Sequence, residues 1–303
     1  MKSRRYLIWL NWPERPFRLC AADKAFFQSL VGRHEVRVVR SGRAFLKELP
    51  LATHAICWEF HKEWFSSAQN LRVLATPGAG RELMPTDAEL PVGVTKYHGE
   101  FHGQVMSETV LAYMLAWCRG LYPAYDWQRS GDDGNLWRRT ELGERCFSLA
   151  GTKAVILGYG RIGGAVGKRL EALGVSVAGI RRGNFAELRS AVADADWLIC
   201  ALPSDTGTDG IVDAALLRRM KRSAVLINIG RGNAVVENDL AEALKRRRIA
   251  AAFLDVFRRE PLDVSSPLAA DLPGLYRFPH GSAFTPDYLR MFFRELASRG
   301  ALR

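Results

Sequence analysis

The chain has little cysteine for its length and no long apolar run. Only five of its 303 residues are cysteine, and none of them forms a CxxC pair, so neither a zinc-ligand pattern nor a disulfide framework is present. The five are Cys20, Cys57, Cys118, Cys146 and Cys200. The longest apolar stretch, residues 110–118, is too short to cross a bilayer. We therefore expect a cytoplasmic protein with no membrane partner.

Negative charge is scarce relative to positive charge. The chain has 43 lysine and arginine residues against 32 aspartate and glutamate residues, a net charge of +11. Such a surplus can mark a protein that binds nucleic acid or a membrane surface. However, no helix-turn-helix, zinc-finger or RNA-binding signature accompanies it. Basic clusters such as residues 245–248 fall on predicted helix faces, where solvated surface is the simpler interpretation, so we expect no nucleic-acid partner.

What the sequence does contain is an alternation of strand-like and helical segments. Its apolar fraction of 48% and charged fraction of 25% are those of globular proteins, and its length corresponds to about two domains. Apolar runs bounded by turn residues predict parallel strands joined by helices. The predicted strands cover residues 6–10, 35–39, 55–58, 72–75 and 92–97 in the first half, and residues 154–157, 175–180, 197–201, 224–229, 250–256 and 275–278 in the second.

A glycine-rich loop follows the first strand of the second half. Gly158, Gly160 and Gly163, with Arg161 and Ile162 between the last two, form a GxGxxG motif between a buried strand and a helix, which is the context of a dinucleotide-binding loop. The first glycine makes a tight turn, the second admits a pyrophosphate and the third lets the helix pack on the strand. The helix N-terminus adds N–H groups and a positive dipole. The alternative is a glycine-rich turn that binds nothing.

Two arginines follow the next strand and predict which dinucleotide binds. Arg181 stands 18 residues after Gly163, where an NAD-binding fold has an acid that holds the ribose 2′-hydroxyl. Arg181 and Arg182 would instead attract a 2′-phosphate. The sequence therefore predicts NADP(H) in preference to NAD(H). A solvated arginine pair beside an unselective site is the alternative.

Three further motifs lie just past predicted strands of the second half. They are the segments NIGRG at 228–232, DVFRREP at 255–261 and FPHGSAFT at 278–285. Open α/β sheets place their ligand sites beyond the carboxyl ends of strands. Taken in order with the glycine loop and the ALP segment at 201–203, these motifs resemble the D-isomer-specific 2-hydroxyacid dehydrogenase family. The resemblance runs from about residue 71 to the end and is strongest over residues 149–286.

The resemblance implies a catalytic triad of Arg231, Glu260 and His280 and the reduction of a small 2-oxo acid, such as glyoxylate or hydroxypyruvate, to the D-2-hydroxy acid. An imidazole is a natural proton donor at neutral pH, and a carboxylate bound to its other nitrogen should raise its pKa. A guanidinium can bind the substrate carboxylate and stabilise charge on the carbonyl oxygen. Each residue alone has a structural alternative: a solvated arginine, a turn glutamate or a structural histidine.

The resemblance also assigns residues that would bind the substrate and the cofactor. The loop at residues 76–80 would hold the substrate carboxylate through the backbone N–H groups of Ala79 and Gly80. Leu202 and Pro203 would contact the cofactor, and Asp255 would lie near the nicotinamide carboxamide. For the loop the alternative is a plain tight turn, and for Asp255 it is a capping carboxylate. His98 and His102 are interpreted as loop residues near the cleft, since no third metal ligand is evident.

The implied architecture consists of two doubly wound α/β domains with a cleft between them. Residues 1–100 and 285–303 would form a flavodoxin-like substrate domain, and residues 101–284 would form a Rossmann cofactor domain inserted in it. The stretch 126–145 matches the region through which family members dimerise, so we expect a homodimer. A second hypothesis is a cofactor-sensing, corepressor-like binding protein on the same fold. The presence of all three triad residues favours the enzyme.

Overall fold

The computed structural model describes residues 4–130 and 137–302. The chain divides into two compact units: Met1–His102 with Phe284–Arg303 form the first, and Gly103–Ala283 form the second. Along the chain, the second unit is therefore an insertion in the first. The assignment of the first unit to the substrate and of the second to the cofactor stays a prediction.

Strands and helices alternate along most of the described chain. The strands are β1 (Arg5–Trp9), β2 (Glu35–Val38), β3 (His54–Cys57), β4 (Val73–Thr76), β5 (Thr95–His98), β6 (Lys153–Leu157), β7 (Ser176–Ile180), β8 (Trp197–Cys200), β9 (Val225–Asn228), β10 (Ala251–Leu254) and β11 (Leu275–Arg277). The α-helices are α1 (Ala21–Val31), α2 (Gly42–Glu48), α3 (His102–Cys118), α4 (Leu121–Ser130), α5 (Arg139–Arg145), α6 (Arg161–Ala172), α7 (Phe185–Ala191), α8 (Ala214–Leu217), α9 (Glu237–Lys245) and α10 (Tyr288–Ser298).

The first unit contains a five-stranded parallel sheet in the order β2-β1-β3-β4-β5, which is the flavodoxin-like order. Neighbouring side chains of β1 enter different layers, as the two-residue period of a strand requires. Tyr6 meets Phe27 of α1 edge-on, with ring centroids 5.4 Å apart, whereas Leu7 joins the buried cluster of Phe45 on α2. Phe27 also contacts Phe293 of α10 at 4.7 Å. The last helix of the chain thereby completes one helical layer of this unit.

The second unit contains a six-stranded parallel sheet in the order β11-β10-β9-β8-β6-β7. Ala154 and Ile156 of β6 belong to one buried cluster, and Val155 and Leu157 belong to another, so both faces of the sheet are covered. The direction of strand succession reverses between β6 and β8. In open α/β sheets, ligands bind at such a reversal, beyond the carboxyl ends of the strands.

The predicted α/β class, with two all-parallel sheets, is confirmed, and every predicted strand is present. The largest boundary difference is at β5, which was predicted from residue 92 but begins at Thr95. Gly93 has a φ of +86°, which is incompatible with an extended strand, so Val92 and Gly93 belong to a turn. The stretch 126–145, predicted as the dimerisation region, contains the end of α4 and all of α5, and neither helix was predicted from the sequence. Residues 131–136 of that stretch lie outside the described residues.

The helix that joins the two units along the chain is apolar but shorter than a typical membrane-spanning helix. α3 has 17 residues and is the longest helix in the described part of the chain. Within residues 4–130 and 137–302, no helix combines the length and the apolar character needed to cross a membrane. The cytoplasmic location stays a prediction.

Candidate active site

The predicted motifs of the second unit lie on loops that follow neighbouring strands at one edge of its sheet. Two of these loops approach others so closely that only glycine fits. A Cβ on Gly230, after β9, would lie 2.6 Å from the backbone nitrogen of Leu202, after β8. A Cβ on Gly232 would lie 1.9 Å from the carbonyl carbon of Phe257, after β10. These contacts bring the loop of Arg231 against the loop that leads to Glu260.

His280 and Glu260 are joined by a short hydrogen bond. Nδ1 of His280 lies 2.7 Å from Oε2 of Glu260, while Oε1 of Glu260 accepts a hydrogen bond from the backbone N–H of Phe257 at 3.0 Å. Since an ionised carboxylate only accepts hydrogen bonds, Nδ1 carries the proton. Nε2 is then left for a ligand. The side chain of His280 is 53% exposed and that of Glu260 35%, so the pair is open to small molecules.

The two partners shift each other's pKa in opposite directions. The hydrogen bond to Glu260 is the largest influence on His280 and raises the pKa of His280, against burial and the nearby charge of Arg231. For Glu260, burial favours the neutral acid, but the hydrogen bonds from His280 and Phe257, together with the charges of His280 and Arg231, outweigh it and lower the pKa of Glu260. The pair therefore favours an imidazolium beside a carboxylate, which is the state required to donate a proton.

Arg231 lies close enough to this pair to act on both members. Its positive charge helps to lower the pKa of Glu260 and opposes protonation of His280. Asn228 fixes the local turn, because its amide donates to the Arg231 carbonyl at 3.0 Å and accepts from the Gly230 N–H at 3.1 Å. The structure thus brings together the three residues predicted as a triad. Asn228 was noted only as part of the motif, and its side-chain role was not predicted.

Asp255 organises the loop that carries His280. It is fully buried, and its carboxylate accepts hydrogen bonds from the backbone N–H groups of Gly281 at 2.7 Å and Ser282 at 3.1 Å. Burial raises the pKa of Asp255 against these hydrogen bonds. His280 has a φ of +49°, an uncommon value for a residue with a side chain, and its N–H donates to the Asp255 carbonyl at 2.8 Å. The predicted contact of Asp255 with the cofactor stays a prediction.

The glycine loop after β6 has the shape of a pyrophosphate cradle. Gly158 has a φ of +96°, and a Cβ on Gly163 would lie 2.2 Å from the Gly158 carbonyl oxygen, so loop and helix pack at a distance that only glycine allows. By contrast, a Cβ on Gly160 would meet no atom within 4 Å. Gly160 is the N-cap of α6, whose first N–H groups have no acceptor within the helix. The loop therefore fits an anion at its open side, next to Arg161 and Ile162.

The ALP segment at 201–203 lies beside this glycine loop. A Cβ on Gly158 would lie 2.7 Å from the carbonyl oxygen of Ala201. Leu202 is buried and the adjacent Pro203 is exposed. Both residues lie at the strand-order reversal, where the predicted cofactor would bind.

Arg181 and Arg182 directly follow β7, and both are exposed. The guanidinium carbon of Arg181 lies 6.0 Å from the ring centroid of Tyr159, within the glycine loop. Arg182 forms an ion pair with Asp205. Tyr159 and Asp205 were not predicted as site residues, because their contacts depend on loops that meet only in the folded unit.

In the first unit, the predicted carboxylate loop follows β4. The hydroxyl of Thr76 accepts a hydrogen bond from the N–H of Gly78 at 3.3 Å. Among the described residues, the N–H groups of Ala79 and Gly80 have no protein acceptor, so they can serve an anion.

The two histidines predicted as loop residues lie instead in regular elements of the first unit, because β5 and α3 extend up to them: His98 is the last residue of β5 and His102 is the first residue of α3. The ring nitrogens of His98 are buried. His102 is buried, stacks on Phe101 and has its Nε2 2.7 Å from the hydroxyl of Tyr288. Within the part of the chain that the structure describes, no group of three or more potential ligands could hold a metal ion.

Comparison with known proteins identifies relatives of this chain. The family model described as "D-isomer specific 2-hydroxyacid dehydrogenase, NAD binding domain" matches residues 111–282. Glyoxylate/hydroxypyruvate reductase B of Pectobacterium atrosepticum is 35% identical over 240 residues, which cover 73% of this chain and 72% of the relative. Glycerate dehydrogenase of Methylorubrum extorquens is 30% identical over 232 residues, which cover 75% and 74%.

A solved structure resembles the chain over nearly its full length. It is an NADPH-dependent glyoxylate/hydroxypyruvate reductase from Sinorhizobium meliloti in complex with NADP and sulfate. The TM-score is 0.77 at 26% identity, and the match covers 99% of this chain and 94% of the other.

The pKa of His280 tests the pairing with Glu260. Glu260→Gln keeps the shape of the side chain but removes its charge, so we expect the raised pKa of His280 to fall. An NMR titration of the histidine ring protons measures the change, and His280→Ala assigns the signal. His54 of the first unit, whose pKa burial lowers to about 4, is the internal control and should not move. An unchanged or higher pKa of His280 in Glu260→Gln would contradict the pairing.

Proposed function

Because the chain belongs to the D-isomer-specific 2-hydroxyacid dehydrogenase family, an NAD(P)-dependent family of oxidoreductases, we propose that it reduces glyoxylate, hydroxypyruvate or a similarly small 2-oxo acid with NADPH. The product would be the D-2-hydroxy acid. The observation that carries this proposal is the His280–Glu260 hydrogen bond with the charge of Arg231 beside it. Relatives with this activity, at up to 35% identity, support the choice of substrates.

His280 is proposed as the proton donor in reduction. NADPH, when bound, supplies the hydride for the carbonyl carbon. The imidazolium of His280 then gives its Nε2 proton to the carbonyl oxygen, and Glu260 holds the ring and stabilises its charged form. In the reverse direction, the neutral imidazole accepts the proton of the hydroxyl group. Each catalytic turnover consumes one proton. A carboxylate at Glu260 therefore supports this chemistry better than an uncharged side chain would, because it stabilises the protonated imidazole.

Arg231 is proposed to bind the substrate and stabilise the developing negative charge on its carbonyl oxygen. A guanidinium presents parallel N–H donors to a carboxylate, and aiming a positive charge at the reacting oxygen lowers the barrier. Ala79 and Gly80 are proposed to hold the substrate carboxylate through their backbone N–H groups. Their lack of a protein acceptor among the described residues supports this role.

The second unit is proposed to hold NADPH at the reversal of its strand order. The pyrophosphate would lie at Gly158, Gly160, Arg161, Ile162 and Gly163, where the first turn of α6 offers N–H groups. The adenosine 2′-phosphate would face the arginines after β7, and the solved relative that contains NADP supports this preference. The remaining proposed cofactor contacts are Leu202, Pro203 and Asp255.

A spectrophotometric assay with a panel of 2-oxo acids tests the proposed activity. We expect NADPH-dependent reduction of glyoxylate and hydroxypyruvate, with kcat/KM roughly tenfold or more lower with NADH, since charge-assisted hydrogen bonds to a phosphate are lost. Chiral analysis should give the D-product from hydroxypyruvate. NADPH binding without turnover of any 2-oxo acid would contradict the enzyme and favour the corepressor-like binding protein.

Single replacements test the proposed roles of the triad. His280→Ala should lower kcat/KM by roughly 100- to 10,000-fold, and Arg231→Ala by roughly 100- to 1,000-fold. The dissociation constant of NADPH should change little, because neither residue is assigned to the cofactor. Arg222→Ala, which removes an exposed arginine elsewhere in the unit, is the matched control and should be as active as the original chain. Retained turnover in both triad variants would overturn the assignment.

The exposed aromatic residues around α4 and α5 support a homodimer. Tyr125 is 63% exposed and Trp137 is 79% exposed, and exposed aromatic side chains are typical of protein interfaces. We expect light scattering at micromolar concentration to give the mass of two chains. Trp137→Glu should shift the mass towards one chain, whereas Val264→Glu, at another exposed apolar position, should not. A single-chain mass for the unmodified protein would contradict the proposal.

A further inference from the structure

The two arginines after β7 differ in what holds them. Arg182 has an acidic partner, because its guanidinium forms an ion pair with the carboxylate of Asp205. Arg181 has an aromatic partner, because its guanidinium carbon lies 6.0 Å from the ring centroid of Tyr159. A carboxylate neutralises a guanidinium, but an aromatic ring holds it and leaves its charge and its N–H donors available. Together with their partners, these two neighbouring arginines therefore present different net charges to a ligand.

The ring of Tyr159 has a fixed place in this region. It lies against two glycines: a Cβ on Gly179 of β7 would lie 2.3 Å from Cγ of Tyr159, and a Cβ on Gly167 of α6 would lie 2.6 Å from its hydroxyl oxygen. The backbone N–H of Tyr159 also donates to the carbonyl of Ile180 at 3.1 Å. Since Ile180 directly precedes Arg181, the glycine loop and the arginine are linked through both the backbone and the ring contact.

The carboxylate of Asp205 is also fixed. Oδ1 accepts a hydrogen bond from the N–H of Gly207 at 2.9 Å, and the N–H of Asp205 donates to the hydroxyl of Thr208 at 3.1 Å. Oδ2 then faces Arg182. These turn contacts fix the carboxylate of Asp205 beside the guanidinium of Arg182.

We propose that Tyr159 and Asp205 are positioning residues that make Arg181, rather than the arginine pair, the receptor for the adenosine 2′-phosphate. This inference rests on the proposed use of NADPH. Among the residues that the structure describes, no acid forms an ion pair with the guanidinium of Arg181, which lies over the Tyr159 ring. Asp205 offsets the charge of Arg182 and repels a phosphate dianion that approaches it. Asp205 therefore decreases the preference for NADPH over NADH, whereas Tyr159 increases this preference.

Isothermal titration of NADPH and of NADH, in the absence of any 2-oxo acid, tests this division of roles. Arg181→Ala should weaken NADPH binding by roughly 10- to 100-fold, the range for hydrogen bonds to a charged group. Arg182→Ala should weaken it by no more than about threefold, because Asp205 already neutralises that residue. Asp205→Asn should strengthen NADPH binding, since it frees a second guanidinium. NADH binding should stay nearly constant in all three.

Two variants of Tyr159 separate positioning from a structural effect. Tyr159→Leu removes the ring face and should weaken NADPH binding by about two- to fivefold, without a matching loss for NADH. Tyr159→Phe keeps the ring face and should retain the ratio of the two dissociation constants. A loss that is equal for both cofactors in Tyr159→Leu would show a damaged loop and would overturn the positioning role.

The outcomes also separate this inference from the proposed function. Equal losses in Arg181→Ala and Arg182→Ala, or weaker NADPH binding in Asp205→Asn, would overturn the inference while the preference for NADPH stands. NADH binding as tight as NADPH binding in the unmodified protein would overturn both the inference and the proposed preference. Failure to reduce any 2-oxo acid would leave the binding result intact, because the titration contains no substrate.

Discussion

The hydrogen bond between Nδ1 of His280 and Glu260 is the interaction on which the proposed chemistry depends. It fixes the tautomer, raises the pKa of the imidazole and directs Nε2 away from the carboxylate. Glu260 follows β10 and His280 follows β11, so the hydrogen bond forms only where the loops after these two strands meet. The buried carboxylate of Asp255 fixes the backbone just after His280, whose own φ is positive. The proposed catalytic pair is therefore held in place by backbone constraints in the second unit.

The parallel sheet explains why the residues proposed for proton transfer and the glycine loop lie on one edge of the sheet in this unit. All six strands run in the same direction, so the loops after β6, β8, β9, β10 and β11 emerge together. Close approaches at Gly230 and Gly232 draw three of these loops into contact. The same edge carries the N-terminus of α6, which suits an anionic cofactor. Acid–base chemistry and dinucleotide binding thus follow from one topology.

Much of this could be predicted from the sequence, because short motifs after apolar strands have fixed positions in an α/β sheet. The GxGxxG loop and the segments of Arg231 and His280 were placed correctly for that reason. Interactions that depend on the meeting of distant loops could not be predicted. The ion pair of Arg182 and Asp205 joins loops after β7 and β8, and Asp255 could be interpreted either as a cofactor contact or as a loop carboxylate. The charge surplus likewise did not indicate that Arg182 would pair with the carboxylate of Asp205 and Arg181 with the ring of Tyr159.

The proposed chemistry requires that His280, charged through its hydrogen bond with Glu260, donates the proton in reduction. The most direct test is the pH dependence of kcat/KM for glyoxylate reduction in the unmodified protein and in Glu260→Gln. Because the acid form must be present, the rate should fall as the pH rises through the raised pKa of His280. In Glu260→Gln, where that pKa is lower, the fall should begin at a lower pH. A profile that stays in place when Glu260 is replaced would contradict the account.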